Sequence, residues 1–122
     1  AGLGGSLTRL GSASTLPPGE AREGQKAADI AISPDGRRIY ASNRGRLNTV
    51  CVFEVSEDGA LRQLQQVEAP AYPRHIRLAR DGSLLLVAGQ HDGVVWTYFT
   101  HYKAAQGGLT WSGTAVRGPP TT

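Results

Sequence analysis

Apolar positions alternate with small or polar ones along Asp29-Ile30-Ala31-Ile32-Ser33, the two-residue period of a half-buried strand, and the run ends at Pro34-Asp35-Gly36. Proline fixes one backbone angle there and glycine accepts a positive φ, so the chain is expected to reverse into a hairpin. A second strand is predicted over 37–42, stopping at the loop Asn43-Arg44-Gly45, where asparagine and glycine tolerate left-handed backbone. Residues 50–55, rich in β-branched and aromatic side chains, read as a third strand, and 61–67, after the turn Glu57-Asp58-Gly59, as a fourth. The pattern then returns 46 positions later: Asp35 as Asp81, Ile30 as Ile76, Ile32 as Leu78, Ile39 as Leu85 and Tyr40 as Leu86. The second set of strands is predicted over 75–79, 84–88, 94–98 and 109–112.

Glycine turns opening a short strand occur three times, at Gly5-Ser6-Leu7-Thr8, Gly59-Ala60-Leu61-Arg62 and Gly108-Leu109-Thr110. The chain is therefore divided into the last strand of a preceding unit (1–15), a loop containing Pro17-Pro18-Gly19 (16–27), two full units (28–68 and 69–112) and a poorly ordered tail (113–122). Four antiparallel strands at this period describe a propeller blade better than a sandwich. With 16 glycines, 7 prolines and no helical period between breakers, the expected class is all-β. It is a β-propeller fragment of about two four-stranded blades plus one leading strand. Blades bury their faces against neighbours, and about three are normally needed for stability. The chain starts at Ala1 and has no methionine, and the expectation is a C-terminal portion of a longer propeller. Its partners are then the missing blades, or further copies of itself through uncovered faces carrying Val50, Val52, Leu85, Val87 and Val95.

Charge and rare residues narrow the function classes. The net charge of +3 comes from 13 basic and 10 acidic residues, mostly interspersed, so no clustered basic face points to nucleic acid. The longest apolar run, 84–88, is too short to span a membrane, and the N-terminus lacks a leader pattern. The single Cys51 permits no intrachain disulfide, which is compatible with a reducing compartment, and the expected location is cytoplasmic. No two of His75, His91 and His101 have ligand spacing together with Cys51, so no metal and no cofactor are expected. Ser33 and Ser42 lack the context of a nucleophile elbow. Trp96 and Tyr98 read as packing residues.

Ala27-Ala28-Asp29-Ile30 and Ser33-Pro34-Asp35-Gly36-Arg37-Arg38-Ile39-Tyr40-Ala41-Ser42-Asn43-Arg44-Gly45 are followed by Val52-Phe53-Glu54-Val55 and Asp58-Gly59-Ala60-Leu61. Pro73-Arg74-His75-Ile76, Asp81-Gly82 and Leu84-Leu85-Leu86-Val87-Ala88 with Gln90 complete the set. In this order the chain resembles the lactonase family of seven-bladed propellers, which includes propeller-type 6-phosphogluconolactonases and carboxymuconate lactonizing enzymes. The resemblance covers roughly residues 5–112. It implies a parent protein that hydrolyses or forms a small anionic lactone, with hydrolysis of 6-phosphogluconolactone in carbohydrate metabolism leading. It also places an active-site histidine and glutamate in blades outside this chain. A non-catalytic binding or scaffold propeller, or an inactive fragment, is the competing reading, since one fold hosts many roles.

Strand direction selects the residues able to meet. If the first strand of a blade descends from an upper face, Asn43 and Arg44 lie on that face beside Asp29, and Arg74, His75 and Gln90 join them from the next blade. Asp29 and His75, on innermost strands, are expected to point toward the central channel. Arg44 and Arg74 can each hold a carboxylate or phosphate bidentately, and an arginine can stabilise the oxyanion of an opening lactone. His75 can serve as general base. The expected catalytic residues are thus His75 and Arg44, with Arg74, Asp29, Asn43 and Gln90 binding substrate. Each also has a structural reading: Arg44 and Arg74 as blade-to-blade donors, His75 packed at a strand entry, Asp29 bonded to loop backbone.

Overall fold

The computed structural model describes residues 5–117. Eight strands follow one another, β1 (Gln25–Ile32), β2 (Arg38–Gly45), β3 (Thr49–Val55), β4 (Leu61–Glu68), β5 (Pro73–Ala79), β6 (Leu84–Gly89), β7 (Val94–Phe99) and β8 (Thr110–Arg117). They form two four-stranded antiparallel sheets in sequential order, β1-β2-β3-β4 and β5-β6-β7-β8. The innermost strands β1 and β5 lie against each other, as in adjacent propeller blades.

Side chains on successive strand positions point to opposite faces, and one row from each sheet meets between the blades. Tyr40, Val50 and Val52 of the first blade pack against Ile76, Leu85, Val87 and Tyr98 of the second, with Ala69 and Leu109 closing the cluster. Burying each large side chain stabilises by about 1.5–3 kcal/mol. Polar bonds fix the register around this core. The Tyr98 hydroxyl donates to the Glu68 carbonyl (2.6 Å), and the Gln65 amide takes both the N–H (2.7 Å) and the carbonyl (3.0 Å) of Leu109. At the lower end the buried Arg38 donates to the carbonyls of Ala104 (3.1 Å) and Gly107 (3.2 Å).

The structure corrects three expectations. Val50, Val52, Leu85 and Val87 are not uncovered but form the core between the blades. Apolar side chains left open include Ile30 and Ile32 on the outer side of the first blade and Phe99 on that of the second. Residues 5–15 form no strand, since a strand needs a hydrogen-bonded neighbour and none of the described strands pairs with them; residues 1–4 are outside the described part. The segment nevertheless follows the first blade. Leu10 packs over Gly59 at the lower turn, Asn43 and Gln66 donate to the Thr15 carbonyl (2.6 and 2.8 Å), and Gln63 donates to the Leu16 carbonyl (3.1 Å). Finally, part of the expected tail is strand, since pairing with β7 carries β8 to Arg117, and residues 118–122 lie outside the described part.

Candidate functional site

The upper end is built from the start of β1, the loop 46–48, the connection 69–72 and the turn 90–93. The hairpin partner of β2 reaches further up than the sequence indicates. Gln25, Lys26 and Ala27 pair with Gly45, Arg44 and Asn43, so the first three belong to β1 and the last three to β2 rather than to loops. Gly45 has φ 126°, and a Cβ there would collide with the Gly24 carbonyl. That close approach is why the strand ends at a glycine.

The six candidates separate into four environments. Asn43 is buried; its amide donates to the Thr15 carbonyl (2.6 Å) and the Thr49 hydroxyl (3.1 Å), while its oxygen accepts from the Thr15 hydroxyl (2.6 Å). Both of its amide hydrogens are thereby committed, one to the N-terminal segment and one to β3. Asp29 sits at a bulge in β1 and reaches the next blade. Its Oδ2 accepts the Ile76 N–H (2.9 Å) and its Oδ1 the Ile30 N–H (2.9 Å). The backbone that it bonds is therefore strand β5, not a loop.

His75 stands 46 residues after Asp29, at the matching bulge of β5. It pairs with Ala88, which pairs with Val95, and this row lies on the face of the second blade turned away from the first. His75 is exposed there, so it points toward the place of a following blade rather than across the channel toward Arg44. Arg74, His75 and Gln90 line one cleft of about 400 Å³ on the upper part of that face, floored by Ala88 and Val95. Three of the six candidates are thus brought together, two cations or potential cations and one amide beside an apolar floor.

Arg44 occupies the fourth environment, at the junction of the blades. Its guanidinium lies over the Tyr72 ring, 5.3 Å from the centroid, and its buried Nε has no acceptor among the described residues. The Tyr72 ring stacks on His91, 4.1 Å between centroids at an interplanar angle of 13°. Tyr72 has φ 57°, a conformation costing about 1–3 kcal/mol for a residue with a large side chain. It is pinned there from both blades: its N–H donates to Asn48 Oδ1 (3.1 Å), and its carbonyl accepts from Arg74 N (2.8 Å) and Gln90 N (2.9 Å). Sequence reasoning passed over Tyr72, whose only signal was an aromatic residue between Pro70 and Pro73 in an inter-blade connection.

Carboxylates are scarce around these cations. The ion pairs among the described residues engage Arg38, Arg46 and Arg62 and leave out Arg44 and Arg74. No group of three or more His, Cys, Asp or Glu side chains converges in a metal-holding arrangement among the described residues. Nor is any described helix long and apolar enough to cross a membrane.

Comparison with known proteins agrees with this architecture. A family model described as Lactonase, 7-bladed beta-propeller matches residues 2–122. A solved protein from Lactobacillus plantarum superposes with a TM-score of 0.82 at 30% identity, over 95% of this chain and 33% of that one. A protein from Bacteroides fragilis, provisionally named a 6-phosphogluconolactonase, gives 0.69 at 29% identity over 75% of this chain and 25% of its own. A periplasmic gluconolactonase from Pseudomonas aeruginosa shares the fold at 24% identity, with a TM-score of 0.71 over 88% of this chain and 30% of that one. The chain spans a quarter to a third of the length of these proteins. With two blades of the expected topology and a family match over nearly its whole length, the chain belongs to the lactonase family of seven-bladed β-propellers.

Proposed function

We propose that these residues form two blades of a ring that hydrolyses a small anionic lactone, with 6-phosphogluconolactone as the leading substrate. The observation that carries this reading is the pair of arginines on the upper end that have no carboxylate partner among the described residues, Arg44 at the blade junction and Arg74 in the neighbouring cleft. Free guanidinium groups on one rim suit a phosphate or carboxylate on the substrate and the negative charge that develops as an ester carbonyl is attacked. The provisional name of the Bacteroides fragilis relative points the same way.

In this scheme Arg44 holds the substrate's anionic group or the developing oxyanion, and Arg74, Gln90 and His75 act from the neighbouring cleft, the first two on the sugar acid and His75 on a water held there. Asp29 and Asn43 act behind them, as a latch between blades and a clasp on the N-terminal segment. The buried, unpaired Cys51 supports a cytoplasmic setting. The test is hydrolysis of freshly prepared 6-phosphogluconolactone by the full-length protein, followed as acid release. Turnover lost on Arg44→Ala supports the reading, and a full-length protein no faster than buffer refutes it. A non-catalytic propeller has one observation in its favour: the His75 side chain has no hydrogen-bond partner among the described residues to orient it.

A further inference from the structure

We infer that Tyr72 is the positioning residue of the upper-end site, presenting the Arg44 guanidinium to an anionic group of the ligand; this rests on the lactonase reading above. Elsewhere guanidinium groups have carboxylate partners: within the first blade Arg38 and Arg62 both pair with Glu54. Arg44 has no such partner among the described residues, and its Nε is shielded from solvent without an acceptor. What it does have is the face of an aromatic ring at 5.3 Å.

The two kinds of support differ in what they leave over. A carboxylate neutralises the guanidinium and occupies two of its five donors. An aromatic face attracts the cation through the ring quadrupole and uses none of them. Arg44 on Tyr72 therefore keeps its charge and its fork of donors for a bidentate anion, a phosphate monoester or a carboxylate.

The ring is a firm support. Its backbone is held in the left-handed region by bonds to Asn48, Arg74 and Gln90, and its face is stacked with His91. Those bonds also tie the connection 69–72 to the cleft, since Arg74 and Gln90 line it. One residue thus links the Arg44 support to the backbone of two further candidates. The Tyr72 hydroxyl takes no part in any of these contacts, so the ring is the working element.

The experiment uses the full-length ring, with 6-phosphogluconate as the titration probe and the Arg44 Nε–H resonance as a local reporter. Tyr72→Phe keeps the ring. It is expected to bind the probe within about twofold of wild type and to retain the ring-current shift of Arg44. Tyr72→Asn keeps a residue that tolerates the left-handed backbone but removes the ring. It is expected to weaken binding roughly three- to thirty-fold, from the strength of a partly desolvated cation–π contact, and to lose the shift while the unfolding midpoint stays put. Tyr72→Asn binding like wild type overturns the inference, as do Tyr72→Phe failing equally and a wild-type protein that does not bind the probe. A wild type that binds in this ring-dependent manner but turns over no lactone refutes the lactonase reading and leaves the positioning role standing.

Discussion

Replacing Asp29 by alanine should destabilise the ring without touching substrate affinity, because its carboxylate is spent on the backbone. Two N–H groups lose their acceptor in the variant. The Ile30 amide is exposed and turns to water at little cost, whereas the Ile76 amide lies part-buried between β1 and β5, where its bond to Oδ2 is 2.9 Å long. A backbone donor bonded to a carboxylate is worth about 1.5–3 kcal/mol, and an orphaned buried donor costs about 1–3 kcal/mol. The expected loss is therefore about 2–3 kcal/mol, a factor of roughly 30–150 in the folded-to-unfolded ratio. Asp29→Asn retains one acceptor oxygen without the charge and should lose about half as much. Urea unfolding of the full-length protein followed by Trp96 and Trp111 fluorescence, with kcat/KM measured alongside, gives both quantities. An unchanged midpoint with affinity down more than about tenfold, a binding loss near 1.4 kcal/mol, would show that Asp29 is a substrate ligand after all.

Other consequences are as specific. Arg44→Ala should lower kcat/KM much more than it lowers the urea midpoint, since the side chain makes no ion pair among the described residues; a large midpoint drop with unchanged kinetics contradicts that role. The 122-residue chain by itself should self-associate through the open sides bearing Ile30, Ile32 and Phe99, and light scattering on a sizing column checks this, a sharp 12.9 kDa peak being the contrary result. Burial pushes the Cys51 thiol up to about 12 from an ordinary 9.0, so the folded protein should resist thiol reagents at pH 8 and react on unfolding. Because the folded state disfavours the thiolate, that contribution to stability is complete below about 9 and is lost as pH climbs toward about 12. Equal labelling of native and unfolded protein at pH 8 refutes the burial.

Much of the fold was legible because a blade writes its own period. Turn residues at Asp35 and Asp81 and apolar positions 46 apart identify both sheets, and all eight strands overlap the segments the pattern indicates, with β1, β2 and β8 running further than it shows. What alternation cannot show is which face of a sheet finds a partner. Val50, Val52, Leu85 and Val87, expected to be bare, are in the core, while Val95 lines the open cleft and Ile30 and Ile32 are exposed, because burial follows from the neighbouring blade and not from the strand itself. The same gap affected the site. Arg44, Arg74, His75 and Gln90 are at the upper end as direction implied, but His75 turns to the far side of its blade, since the bulge at Asp29 and its counterpart at His75 aim these side chains onward around the ring. Tyr72 was invisible for another reason. Its role depends on a positive φ enforced by partners distant in sequence, and nothing in Ala69-Pro70-Ala71 marks it.

The central claim is that the free arginines at the upper end exist to receive an anionic lactone. Its most direct test is the ratio of kcat/KM for 6-phosphogluconolactone to that for unphosphorylated gluconolactone, in the full-length protein and in its Arg44→Ala variant. The account predicts a large preference for the phosphorylated lactone that collapses in the variant. Equal use of both lactones by the wild type, or a preference that survives the loss of Arg44, contradicts it.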